Sequence, residues 1–211
     1  MVRVLLVDDH PVVRKGMKAI LEDHMGSITV EEAGDGDTAL ATLDKGGPFD
    51  AIVLDLSMPG RSGIDLLAEV KHRLPKVPVL IMSLHGEEQF AVRALRAGAS
   101  GYLTKAAAPD QLVAAVTKIM RGGRYISEEL ADRLAADVGG QRTAAEPHER
   151  LSDREFEVMR GIASGKSVSE IAEQMHLSVK TVSTYRTRLL DKMGMSTNAE
   201  LTRYAIENGL A

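Results

Sequence analysis

A chain of 211 residues exceeds most single domains and falls short of three, which points to two compact units. With 44% hydrophobic and 27% charged residues, and no apolar stretch near the roughly 20 residues a membrane helix needs, the composition excludes a bilayer-embedded protein; lack of cysteine removes disulfides, thiol nucleophiles and thiolate metal sites. A net charge of −4 argues against coating nucleic acid by bulk electrostatics, so any such contact must be local.

In chain order, the first apolar run stops at Asp8 and Asp9, too short for a secretory signal core, and reads as a strand. A cytoplasmic address fits that reading. Short β-branched runs then alternate with longer helical patterns: Val2 to Val7, Ile28 to Ala33, Ala51 to Leu54, Val79 to Met82 and Gly101 to Thr104, each followed by a helix. Nearly continuous apolar runs suit a parallel sheet covered on both faces. The expectation for residues 1–122 is therefore an α/β domain with a doubly wound, five-stranded parallel sheet. Residues 123–150 read as a linker, with a short amphipathic helix beginning at Ser127 and a stretch from Gly139 to Arg150 that has no hydrophobic periodicity. Residues 151–211 carry no strand signal and form a small all-α bundle. Ser152 with Glu155, Ser167 with Glu170 and Thr197 with Glu200 have capping-box spacing; Ser178 caps a fourth helix, and Gly165 and Gly194 stand where two helices end.

In a doubly wound sheet, ligands bind beyond the carboxyl ends of the strands, where strand order reverses. The first strand ends in Asp8 and Asp9, the third in Asp55, the fourth in Ser83, and the fifth is followed by Lys105. Taken singly, Asp8 and Asp9 could cap a helix, Asp55 could punctuate a loop, Ser83 could be a satisfied polar residue and Lys105 a solvated charge. Together, three converging carboxylates require a cation. Oxygen ligands without His or Cys select Mg²⁺, which also takes phosphate oxygens, and the Ser57 carbonyl could complete its shell. A carboxylate beside such an ion can attack a phosphoryl group in line, and Asp55 on the central strand is the candidate nucleophile. Lys105 would balance the phosphoryl charge, and the Ser83 hydroxyl could bond a phosphoryl oxygen only when phosphate is present.

In the helical half, Val168 to Met175 and Val179 to Met193 have the spacing of a helix-turn-helix. On the second helix, Val182, Leu189 and Met193, with Tyr185 at the edge, form one face; Ser183, Thr184, Thr187 and Arg188 form the other. From His176 to Gly194, Lys180, Arg186, Arg188 and Lys192 stand against Asp191 alone, a local balance of +3 that suits phosphate contact. The alternative for this half is a protein-docking module with a solvated charged face.

Asp8-Asp9, Asp55 followed by Met58-Pro59-Gly60 and Gly63, Ser83, and Lys105 preceded by Tyr102 resemble the receiver domain of two-component response regulators. The resemblance implies that Asp55 accepts a phosphoryl group from a sensor histidine kinase, that Asp8 and Asp9 hold Mg²⁺, and that Ser83 and Tyr102 relay the change. Ala106 departs from the Pro that many receivers carry after the lysine, and His85 lies near a position that tunes dephosphorylation. Leu151 to Val158, Ile171-Ala172, Leu177 to Val182 and Lys192-Met193-Gly194 resemble a LuxR-type DNA-binding domain, over Leu151 to Leu210. The combination is similar to the NarL/FixJ subfamily. That likeness puts Ser183, Thr184 and Thr187 at base-facing positions and Lys180, Arg186, Arg188 and Lys192 at phosphates of double-stranded DNA. Short hydroxyl side chains lack the bidentate geometry of arginine on guanine, so DNA shape would contribute to recognition.

The integrated reading is a transcription regulator, without substrate turnover beyond slow loss of its own phosphate, that binds promoter half-sites as a homodimer when phosphorylated. The apolar Leu201, Tyr204 and Ala205 on the last helix are the candidate dimer contacts, and the transcription machinery is a further partner. Two alternatives stand beside it: a DNA-binding regulator whose acidic pocket is vestigial, and an aspartate-nucleophile phosphatase. Haloacid-dehalogenase-like enzymes place a general acid two residues after the nucleophile, where this chain has Ser57.

Overall fold

The computed structural model describes residues 1–56, 58, 63–83, 88–127, 130–131, 147–175 and 177–210. Ser57, His85, His176 and the stretch 139–146 lie outside the described residues. The chain divides into two compact units, Met1–Gly139 and Gly140–Ala211.

Unit one is a five-stranded parallel sheet of order β2-β1-β3-β4-β5, with β1 Val2–Val7, β2 Ile28–Ala33, β3 Ala51–Asp55, β4 Val79–Ser83 and β5 Gly101–Thr104. Five helices alternate with the strands: α1 Pro11–Met25, α2 Gly36–Lys45, α3 Gly63–Arg73, α4 Glu88–Arg96 and α5 Pro109–Met120. β3 and β4 are buried at every position, which is why their sequences read as unbroken apolar runs. Both continue one residue beyond the apolar pattern. Asp55 pairs with Met82 and Ser83 with Thr104, so the ladder carries these polar residues inside the sheet at its carboxyl edge.

Side chains alternate across the sheet. Val4, Leu6, Val53, Leu80 and Met82 pack with Met17 and Leu21 of α1 and with Leu112, Val116 and Ile119 of α5 in one cluster. Leu5, Ile52 and Ile81, one step out of phase, are equally buried. Proline stands at the first turn of both α1 and α5, where its missing N–H costs nothing. Past residue 122, Tyr125 bridges the outer edge of β5: its carbonyl accepts from the Tyr102 N–H at 2.9 Å and its own N–H donates to the Ser100 carbonyl at 3.1 Å. An otherwise open strand edge is thereby partly covered.

Unit two opens with a 3-10 turn, Pro147–Arg150, within the stretch expected to be linker, followed by α6 Asp153–Ala163, α7 Val168–Gln174, α8 Val179–Met193 and α9 Asn198–Glu207. All three capping boxes form: the Glu155, Glu170 and Glu200 carboxylates accept from the Ser152, Ser167 and Thr197 N–H groups at 2.7, 2.8 and 3.0 Å. Ser178 accepts from the Thr181 N–H at 3.1 Å, and Gly194 ends α8 in the left-handed conformation. Phe156, Val158, Ile171, Val182, Leu189, Leu201 and Ala205 make the core. This corrects one expectation. Leu201 and Ala205 are fully buried within the unit, so two of the three residues nominated for dimer contact are packed inside the fold, while Tyr204 is half-buried with its hydroxyl 2.8 Å from His148 Nδ1. The exposed apolar side chain of α9 is Ile206.

Gly63 opens α3 directly behind the chain leaving Asp55. A Cβ there would lie 2.4 Å from the Leu56 Cα and 2.7 Å from its carbonyl oxygen, a clash with backbone that no rotamer relieves. Gly63→Ala is expected to destabilise unit one by about 1–3 kcal/mol, read as a lower urea midpoint at unchanged slope.

Candidate functional site

Strand order reverses between β1 and β3, and the register that pairs Val7 with Leu54 carries Asp8 and Asp55 out side by side at the carboxyl edge. Both are buried. Lys105, on the turn after β5, reaches back so that its Nζ stands 2.7 Å from Asp55 Oδ2 and 2.7 Å from Asp8 Oδ2, with the lysine side chain itself 4% exposed. The turn is fixed by the Lys105 N–H donating to the Ser83 carbonyl at 2.7 Å and by Ala107 donating to Thr104 at 3.0 Å, so it closes with Ala106 in place of proline. Burial draws the pKa of this ammonium down, but the Asp55 and Asp8 carboxylates outweigh it and hold the group charged above the ordinary lysine range.

Neither aspartate of the pair caps α1. The helix starts from His10 with no side-chain cap, and Asp8 Oδ1 instead accepts from the His10 N–H at 2.8 Å. Arg14 Nη1 donates to the Asp8 carbonyl at 2.5 Å, which ties α1 to the end of β1. Asp9 Oδ1 lies 2.8 Å from His10 Nδ1. Four donor atoms, one each from Asp8, Asp9, His10 and Asp55, lie within 4.8 Å of one another. Asp8 Oδ2 is paired with the Lys105 ammonium and Asp9 Oδ1 with the His10 ring, and the three carboxylates share one buried ammonium among them. Buried carboxylate oxygens left in that condition fit a hard dication such as Mg²⁺. Reading oxygen donors alone from the sequence misses His10; its position directly after the aspartate pair is the available signal.

Ser83 and Tyr102 are both buried, on adjacent paired strands. Ser57 lies outside the described residues, so the pocket as described consists of Asp8, Asp9, His10, Asp55, Ser83 and Lys105.

In unit two, α8 presents Lys180, Ser183, Thr184, Thr187 and Arg188 to solvent, while Val182, Leu189, Leu190 and Met193 are buried. The Thr184 and Thr187 hydroxyls donate to the carbonyls of Lys180 and Ser183 at 3.0 and 3.1 Å, which leaves their oxygens to accept and their methyl groups to pack. Two of the basic residues are engaged within the unit: Arg186 Nε donates to Asn198 Oδ1 at 2.7 Å, and Lys192 Nζ pairs with the buried Glu155 at 2.7 Å. Lys180 and Arg188 are the exposed cations of the helix with no partner among the described residues.

Residues 4–117 match the response regulator receiver domain, and residues 149–205 match the luxR family of bacterial regulatory proteins. The chain is 37% identical over 210 residues to the response regulator UvrY of Escherichia coli K12, spanning 100% of this chain and 96% of that protein. It is 39% identical over 208 residues to the transcriptional activator protein ExaE of Pseudomonas putida, spanning 98% and 97%. Among solved structures it resembles RcsB from Salmonella enterica serovar Typhimurium bound to promoter rprA in the presence of phosphomimetic BeF3−, at 27% identity and TM-score 0.61 over 96% of this chain and 97% of that one.

Glu155 links the helix-turn-helix to its support. Burial alone would raise its carboxyl pKa; the Lys192 ammonium and the Ser152 N–H and hydroxyl outweigh it and hold it below the usual glutamate range. A depressed folded-state pKa contributes stability above the unfolded value, and that contribution is lost as pH falls below about 4.5. Glu155→Gln keeps the capping geometry but removes the charge. Amide exchange in α6 is expected to quicken at neutral pH by the equivalent of about 1 kcal/mol, with the acid dependence flattened.

Proposed function

This chain belongs to the two-component response regulators of the NarL/FixJ type, a receiver domain followed by a LuxR-type DNA-binding domain that regulates transcription, and on that premise we propose that Asp55 is its phosphoacceptor. The observation that carries the reading is the buried Lys105 ammonium set equally close to Asp55 and Asp8 across neighbouring strand ends. A carboxylate that shares one ammonium with a second buried carboxylate is poised to receive a tetrahedral anion whose oxygens take over the same cation.

Asp8, Asp9, Asp55 and the Ser57 carbonyl would hold Mg²⁺, which when bound offsets the charge of the carboxylates and of the incoming phosphoryl oxygens. An Asp55 carboxylate oxygen attacks the phosphorus of a phosphohistidine on the sensor kinase. The new O–P bond forms as the P–N bond breaks, and its electron pair returns to the imidazole. Lys105 exchanges a carboxylate contact for a phosphoryl oxygen, and the Ser83 hydroxyl donates to another. Movement of Ser83 is relayed to Tyr102 on β5. Loss of the phosphoryl group to water is slow, because no acid stands where an ester leaving group would need its proton.

The functional units proposed are the receiver, 1–122, the connector, 123–150, and the DNA-binding module, 151–211. Phosphorylation favours a homodimer that sets two α8 helices on promoter half-sites, with Ser183, Thr184 and Thr187 toward base edges and Lys180 and Arg188 on phosphates; Arg186 and Lys192 reach phosphates while bracing α8. RcsB bound to promoter DNA with a phosphomimetic, and the naming of ExaE as a transcriptional activator, support this reading and favour gene activation.

Incubation with Mg²⁺ and acetyl phosphate is expected to add one phosphate mass to the wild type and none to Asp55→Ala. The gain should be accompanied by a monomer-to-dimer shift in sedimentation and by roughly 5- to 150-fold tighter promoter binding. No mass gain with unchanged DNA binding would mean a phosphorylation-independent regulator. Arg188→Ala and Lys180→Ala should each weaken binding to specific and non-specific duplexes alike. Each should also lower the salt slope by about 1 for every phosphate that the variant no longer neutralises.

A further inference from the structure

We infer that the receiver half carries a second anion site, on the sheet edge opposite Asp55, that takes a small molecule bearing a phosphate or diphosphate group. A cavity of about 350 Å³ opens there among the connections that follow α3, α4 and α5, and Lys71, Lys76, Pro78, Ser100, Met120 and Arg124 stand on its wall. Helix-to-strand connections of a parallel sheet lie at the amino ends of the strands. The five residues of β4, Val79–Ser83, therefore separate this cavity from the acidic pocket by roughly 15 Å.

Charge sets the cavity apart. Asp and Glu outnumber Lys and Arg in the chain, 30 to 26, yet none of the described residues lining the cavity is acidic while three are basic. Lys76 and Arg124 are exposed, and their side chains have no hydrogen bond or ion pair among the described residues. Lys71 is anchored. Its stem crosses Gly98, where an added Cβ would lie 3.4 Å from Lys71 Cγ and 3.5 Å from Cε, and its Nζ donates to the Pro75 and Val77 carbonyls at 2.9 and 3.0 Å. Burial draws the pKa of this ammonium down with no carboxylate to raise it again, in contrast to Lys105 between Asp55 and Asp8. A partly buried cation that meets only neutral oxygens is stabilised by an anion beside it, and its third N–H is left for one. The Ser100 hydroxyl, which has no partner among the described residues, supplies a further donor.

The chemistry of the ligand follows from the donors. A phosphate monoester carries about −1.5 to −2 at neutral pH and a diphosphate more, which matches two ammonium groups and a guanidinium better than a single carboxylate does. Pro78 and Met120, both half-buried, add apolar surface, and the volume falls at the small end of ligand sites, roughly 300–1,000 Å³, suiting a molecule the size of a mononucleotide. Arg124 directly precedes Tyr125, the residue that bridges β5, so an anion shared by Lys76 and Arg124 also holds that bridge in place.

The test titrates the full chain, without Mg²⁺, with pyrophosphate and separately with ADP, adenosine serving as the uncharged control, and follows backbone amide shifts by NMR. Shifts should saturate and centre on Lys76, Ser100 and Arg124 rather than on Asp8, Asp55 or Lys105, with slower amide exchange at Tyr125. Tighter binding of ADP than of pyrophosphate would assign a nucleotide; equal binding would assign a ligand read through its phosphates alone. Lys76→Ser and Arg124→Ser change exposed side chains and should keep the wild-type melting midpoint. Each is expected to weaken binding roughly threefold to tenfold, and Arg124→Lys should recover most of the loss. The inference is overturned by the absence of saturable shifts at the cavity, by adenosine binding as tightly as ADP, or by full affinity in the double variant. It is equally overturned if the double variant loses DNA affinity while the wild type binds neither small anion, since the patch would then serve nucleic-acid phosphates.

Discussion

Three charged side chains buried at one edge of a sheet set the terms for the receiver half. Asp8 and Asp55 lie next to one another because β1 and β3 are hydrogen-bonded neighbours, and Lys105 is their shared counter-ion. Removing two carboxylates from water is unfavourable unless positive charge stands in water's place. The fold meets that demand with one lysine from a third strand end. It also leaves a site that is incompletely neutralised, which is the condition for binding a cation and an anion together.

The second unit relies on a different balance. Its helices are short, and each begins with a side chain that satisfies free N–H groups, so local capping defines the ends while a small apolar core fixes the packing. Lys192 stabilises α8 against α6 through Glu155, and Arg186 joins α8 to the start of α9. Basic charge on α8 thus has two destinations. Part holds the helix in place, and part, Lys180 and Arg188, faces outward. This division explains how a chain of net negative charge presents a local positive surface.

The two halves store information differently. In the receiver, chemistry depends on distances of a few ångströms between residues 47 or 50 positions apart in sequence, such as Asp8 with Asp55 and Asp55 with Lys105. In the helical unit, the positions proposed to contact DNA lie on one fifteen-residue helix.

Much of this is legible in the chain itself. The identity of β3 and β4 follows from their apolar runs, because both strands are buried at every position. Helix starts follow from Ser or Thr three residues ahead of Glu, because capping is a local interaction. Asp8, Asp9, Asp55, Ser83 and Lys105 can be picked out because strand ends are where a parallel sheet exposes its chemistry. The apolar face of α9 misleads: periodicity finds a hydrophobic face but cannot say what covers it, and Leu201 and Ala205 are covered within their own unit. The last paired residues of β3 and β4, the edge bridge made by Tyr125 and the engagement of Lys192 by Glu155 likewise come only with the tertiary structure. So does His10, whose ring meets the pocket because the β1–α1 junction turns it there. Local preferences are written residue by residue; which partner a side chain finds across the fold is decided by packing.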